Sequence, residues 1–179
     1  MSKNGLILLT PTSIAYTGTS ATISANGSVS FSAVSPITLN GVFTGDYDNY
    51  RLVIWATGSA GVSFQLTSSG TPSATGYTRQ YLQADGTTVN AARASQTSVN
   101  LFAILQPQTG GQILDLYGPY LSQPTATRNV GVNYDDVGPG ARIFDVASTH
   151  SVTSSYDGIS IFQSSSTMSG RIAVYGMRK

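Results

Sequence analysis

The single histidine of this 179-residue chain, His150, lies in Ser148-Thr149-His150-Ser151, among hydroxyls that a base would have to activate. A nucleophilic site needs base, nucleophile and orienting group to converge, and no Gly-x-Ser-x-Gly elbow is present. His150 is therefore expected to be a turn or strand-end residue hydrogen-bonded to nearby hydroxyls. The carboxylates are all aspartates, with two close pairs, Asp46 with Asp48 and Asp135 with Asp136. Glycoside hydrolysis asks for two carboxyl groups roughly 5–10 Å apart across a cleft. Neighbours on a strand point to opposite faces, so Asp135 and Asp136 act together only in a loop. Tyr134, Asp135 and Asp136 are carried forward as a ligand-binding surface-loop candidate, without the pKa-tuning partners that catalysis requires. Asp46, Asp48 and Asn49 offer hard oxygen ligands to calcium, but their spacing falls short of a full calcium loop. A turn leading into Tyr50 is the simpler reading. No catalytic residue and no cofactor is assigned.

These residues sit in an unusual background. The chain has no glutamate, only Lys3 and Lys179 as lysines, and 25 serines with 21 threonines. Glu and Lys favour helices, whereas Thr, Val, Ile, Tyr and Phe favour the pleated sheet, so composition alone points to an all-β fold. Charged residues make up 9% of the chain and hydrophobic residues 40%. That combination supports one compact domain dressed in hydroxyls and amides rather than a disordered polar tract. The seven arginines are scattered, the net charge is +1, and no nucleic-acid partner is expected. Without cysteine there is no disulfide framework or thiolate metal site. The apolar run Leu6 to Leu9 is too short for a signal core, and no stretch approaches a membrane span, so neither export nor membrane insertion is expected.

Alternating apolar positions recur along the chain, as in half-buried strands. Val29, Phe31 and Ala33 give one face, Val62, Phe64 and Leu66 another, and further runs follow to Ile172, Val174 and Met177. In Tyr50-Arg51-Leu52-Val53-Ile54-Trp55 both faces are apolar, which predicts a central strand buried on both sides. Asn26-Gly27, Asn40-Gly41, Asp85-Gly86 and Asp157-Gly158 supply residues for tight turns. The pattern predicts an antiparallel β-sandwich, jelly-roll-like, of about ten strands, with one domain over residues 20–179. Residues 1–19 read as an extended arm, its leucines added to the chain's own sheet edge or packed on a neighbouring subunit. Thr88 to Ser95, with three alanines, is the one place for a helical turn. The ten tyrosines, among them Tyr77, Tyr81, Tyr117, Tyr120, Tyr134 and Tyr156, read as strand residues or as interface residues.

Two stretches, Phe43-Thr44-Gly45-Asp46-Tyr47-Asp48-Asn49-Tyr50-Arg51-Leu52-Val53-Ile54 and Met168-Ser169-Gly170-Arg171-Ile172-Ala173-Val174-Tyr175-Gly176-Met177-Arg178, resemble bacteriophage appendage proteins. In those, a turn of the Tyr-Asp-x-Tyr type feeds a central strand and a Gly-x-Ile-x-Val-Tyr-Gly strand closes the domain. The resemblance implies a non-enzymatic jelly-roll domain on the virion exterior, on tail or head, made in the host cytoplasm. It also implies a homotrimer that contacts other virion proteins and a host surface glycan or protein. Tail fibre or receptor-binding component is the leading expectation. A capsid decoration protein is the alternative, and a carbohydrate-active enzyme a more distant one.

Overall fold

A computed structural model describes residues 5–103, 109–135 and 140–178. Its strands are β1 (Leu6–Leu9), β2 (Ser13–Ile23), β3 (Val29–Asn40), β4 (Asn49–Gly58), β5 (Gly61–Ser68), β6 (Thr71–Pro72) and β7 (Tyr77–Asp85). They continue as β8 (Thr88–Gln96), β9 (Val99–Ala103), β10 (Thr109–Tyr117), β11 (Thr125–Asp135), β12 (Gly140–His150), β13 (Gly158–Gln163) and β14 (Met168–Met177). The fold is all-β, and every strand pairing is antiparallel. Fourteen strands replace the expected ten or so, because the N-terminal segment, the short β6 and the alanine-rich β8 all pair. Thr88 to Ser95 is strand rather than helix: the Asp85-Gly86 turn, with Gly86 at φ 58°, returns β8 along β7. Hairpin pairing there overrides the helical preference of alanine.

The strands run β6-β5-β13-β3-β14-β4-β10-β11-β12-β7-β8, with β1 on β14, β2 on β3 and β9 on β5. This sheet is curled into a half-barrel. Curling happens where β3 leaves β14 at Val34 and joins β13 at Ile37. Ala33 takes a positive φ of 48° at that bend, and its N–H donates to the Ser169 hydroxyl at 2.9 Å. Beyond it Ser35 and Gln163 exchange two hydrogen bonds, at 3.0 and 2.9 Å, which hold the chain on β13. The β5 end then meets β7, where the Leu66 N–H donates to Tyr77 Oη at 2.8 Å and Phe64 packs on the Tyr77 ring. One apolar cluster fills the space between, with Leu39, Leu52, Ile54, Phe64, Leu66, Leu114, Ile159 and Ile161 all buried.

The segment ahead of Pro11 joins its own sheet. Leu6 to Leu9 pair with Met177 to Val174, continuing along β14 beyond the start of β3 at Val29, and Leu9 packs on the core. Strand β2 resumes after Pro11 and pairs along β3, spanning the boundary between residues 19 and 20.

The stretches Phe43–Ile54 and Met168–Arg178 meet in space. β4 pairs β14 over its whole length, from Asn49 opposite Met177 to Gly58 opposite Met168. Tyr47 lies flat over Gly176, where a Cβ would come within 2.6 Å of the ring. The buried Tyr50 hydroxyl accepts the Thr44 N–H at 2.7 Å and reaches the carbonyls of Thr44 and Tyr47 at 2.7 and 3.2 Å. Burial pushes its pKa up, so it stays a neutral donor and acceptor. Tyr50→Phe leaves the Thr44 N–H and carbonyl without this partner and is expected to cost about 2 kcal/mol. Denaturant unfolding should show a lower midpoint at unchanged slope.

Candidate functional site: an apolar face on the curled sheet

The described candidate residues lie in separate elements: His150 at the end of β12, Asp46 and Asp48 in the turn before β4, and Tyr134 and Asp135 at the end of β11. His150 ends β12 in the core, between Tyr77 and Tyr156 at ring distances of 4.3 and 5.1 Å. Its Nε2 lies 3.1 Å from the Ser73 hydroxyl. Among the described residues no cluster of three or more His, Cys, Asp or Glu side chains forms. No ion pair joins His150 to a carboxylate among the described residues. Burial holds the His150 pKa below its usual 6.5, so the folded chain keeps a neutral imidazole.

The sign of the linkage follows. Stability from this group is complete above pH 6.5 and is lost as pH falls from there toward the depressed folded pKa, because the unfolded histidine takes the proton first. The slope is at most about 1.4 kcal/mol per pH unit. Asp145, whose pKa lies below 3.8, adds nothing in this window. Melting temperatures measured from pH 7.5 to 5 should therefore fall, and the slope should flatten in His150→Gln.

Asp46 is exposed in the turn before β4, where Thr44 Oγ1 meets its Oδ2 and its own N–H at 3.3 Å. The Asp48 carbonyl accepts the Gly118 N–H at 2.9 Å, and Asn49 opens β4 between Met177 and Tyr117. This is a hydrogen-bonded turn. Tyr134 and Asp135 end β11, opposite Ala141 and Gly140. Asp136 lies outside the described residues. Of the tyrosines, Tyr77 and Tyr156 belong to the core, while Tyr117 and Tyr120 are exposed.

The feature that stands out lies on the other side of the sheet. Strand β4 is central, between β14 and β10, but it is not buried on both faces as its sequence suggested. Tyr50, Leu52, Ile54 and Ala56 enter the core, whereas Val53 and Trp55 are 41% and 53% exposed. Strand register extends this exposed face sideways. Val53 stands opposite Ile113, and Ile113 opposite Val130. In the next row Val132 stands opposite Ile143, Ile143 opposite Ala84, and Ala84 opposite Val89. With Leu82 these side chains line an open trough of about 820 Å³. It crosses six strands, roughly 24 Å at ordinary strand spacing.

Strand β11 makes the pattern plain. Its inward positions are Thr125, Thr127, Asn129 and Gly131, all buried, while Val130 and Val132 point outward and are 48% and 45% exposed. The Thr127 and Ser148 hydroxyls hydrogen-bond each other beneath the sheet. A shift of one residue would exchange the two faces, so side-chain burial within this chain alone would favour the opposite register. The outer valines are placed as if a second cover lay over them.

One edge of the trough is charged. Arg51 donates to both oxygens of Asp115, from Nε at 2.7 Å and Nη2 at 2.8 Å. Arg128 donates likewise to Asp145, at 3.1 and 2.7 Å. Asp115 sits directly opposite Arg51 on one side and Arg128 on the other. These pairs raise the pKa of both arginines and lower that of Asp145, which stands among the apolar positions, opposite Val130 and Leu82. Such ions are unsuited to proton transfer near neutral pH. Their partial exposure makes them small contributors to stability; Arg51, Asp115 and Arg128 border the apolar rows, while Asp145 stands within one of them. On the opposite flank Leu8, Arg171, Ala173 and Tyr175 form a smaller recess of about 310 Å³ with Val53 and Trp55. There Arg171 donates from Nε and Nη2 to the Ser28 hydroxyl at 3.0 and 2.7 Å.

Sequence reading missed this face because it took apolar residues on both sides of a strand as cover from within the chain. The available signal was the matching spacing of Arg51-x-Val53-x-Trp55, Arg128-x-Val130-x-Val132 and Ile143-x-Asp145, each one charge followed or preceded by apolar residues on one side of a strand. Against protein-family models, curated proteins and solved structures, no match to this chain was found.

Proposed function

We propose that this chain is a non-enzymatic structural component of a bacteriophage virion, exposed on the particle as a homotrimer of jelly-roll-like subunits. Its role is that of a tail fibre or receptor-binding protein contributing to host attachment. The observation that carries the reading is the inverted alternation of β11, which buries Thr127 and Asn129 and turns Val130 and Val132 into an uncovered apolar face. Patches of this extent are sites of association on soluble proteins. The bent β3, which carries the sheet from one layer into the other, supports a sandwich of the jelly-roll kind. The fused Tyr47–Gly176 contact supports the appendage resemblance, since it gives both family-like stretches one structural purpose. Weak identical sites repeated on one particle gain avidity without a strong individual site, which suits a surface of hydroxyls with few charges.

Gold-labelled antibody against the chain, applied to intact particles, tests the reading. Label on the tail supports host attachment. Label on the head supports capsid decoration instead, and its absence from particles removes the virion role altogether.

A further inference from the structure

We infer that β8 pairs with β8 of a second copy, antiparallel about a twofold axis, to make one sheet continuous across two subunits. Strand β8 is paired on one side only, to β7, over nine residues without a register shift. Nearly all its side chains are exposed on both faces, Val89 to 70%. Free strand edges are normally blunted by lysine, proline, bulges or a covering element. Among the described residues β8 has none of these, and its one charge is Arg93.

The partner follows from the other edges. Of the remaining described strands that pair on one side only, β1 has four residues and β6 two. β2 is interrupted by a register shift between Tyr16 and Gly18, and β9 pairs β5 through another. β8 alone is long and regular. A second β8 is therefore the edge that can match it along its length, and an edge pairing with itself antiparallel closes on a twofold axis.

Side chains then select the register. With Ala92 on the axis, Thr88 lies opposite Gln96 and all nine residues are engaged. Arg93 faces Ala91, Asn90 faces Ala94 and Val89 faces Ser95. Moving the axis to Arg93 would set two guanidinium groups directly opposite each other, which is unfavourable. Moving it to Ala91 leaves the end of the strand unpaired. The chain's net charge of +1 opposes such self-association very little.

The chain has no cysteine, so a single introduced one reports this contact. On the axis two Cα atoms lie about 4.5–5.5 Å apart, within disulfide range. Ala92→Cys, mildly oxidised in the full chain, is expected to give a covalent pair in at least tenfold excess over Thr88→Cys. In the second variant the two sulfurs are separated by eight residues of strand, roughly 26 Å. Both positions are exposed, and circular dichroism confirms that each variant folds. Equal or absent cross-linking in the two variants overturns the inference. The outcome is separate from the trimer: a three-copy mass without the disulfide removes this contact alone, whereas the disulfide with a two-copy mass removes the trimer.

Discussion

Replacing Gly170 with valine is expected to destabilise the chain by about 3 kcal/mol, the upper end for overpacking. A Cβ at this position would fall on the Trp55 carbonyl and within 2.7 Å of the Ala56 Cα. Both are backbone atoms of β4, so relief requires moving the central strand rather than rotating a side chain. Gly170 also adjoins the shift in the β14–β3 register, where β3 bends from β14 toward β13. Gly111→Ala is the matched control. It lies in the same sheet, a Cβ there meets no heavy atom within 4 Å, and its midpoint in denaturant should change little. If the two variants unfold alike, the close β4–β14 approach is not what holds this part of the sheet.

The second large effect is expected on the trough. Val132→Asp places a charge on the exposed side of β11, away from the core, so the folded subunit should survive with its circular dichroism unchanged. Association through the face should weaken by at least about 100-fold, equivalent to about 2.7 kcal/mol, because an unpaired carboxylate would have to be desolvated at its centre. Light scattering across a concentration series reads this as a fall in mass at concentrations where the wild type stays assembled. An unchanged mass would mean that the face plays no part in assembly.

Strands were legible in the sequence wherever apolar and polar residues alternate, as in Val62, Phe64 and Leu66 or Ile172 and Val174. Their depth was not. Val53 and Trp55 look the same in sequence whether the cover comes from this chain or from another molecule, since alternation reports that a face is apolar and not what lies against it. β8 was obscured for a different reason: Ala91, Ala92 and Ala94 carry a helical preference that the β7 hairpin overrides. The aspartate pairs drew attention as chemistry, yet Asp46 and Asp48 serve a turn. Asp115, at the edge of the trough, and Asp145, within it, stand alone in the sequence and meet their arginines only through strand register.

If the proposed association covers the apolar face, Trp55 reports it directly. It is the only tryptophan of the chain and stands in the trough, more than half exposed in the isolated subunit. Acrylamide quenching of its fluorescence should be weak in the associated wild type and should rise in Val132→Asp to the level of a half-exposed indole. Quenching as strong in the wild type as in Val132→Asp, at concentrations where light scattering shows the wild type associated, would contradict the account.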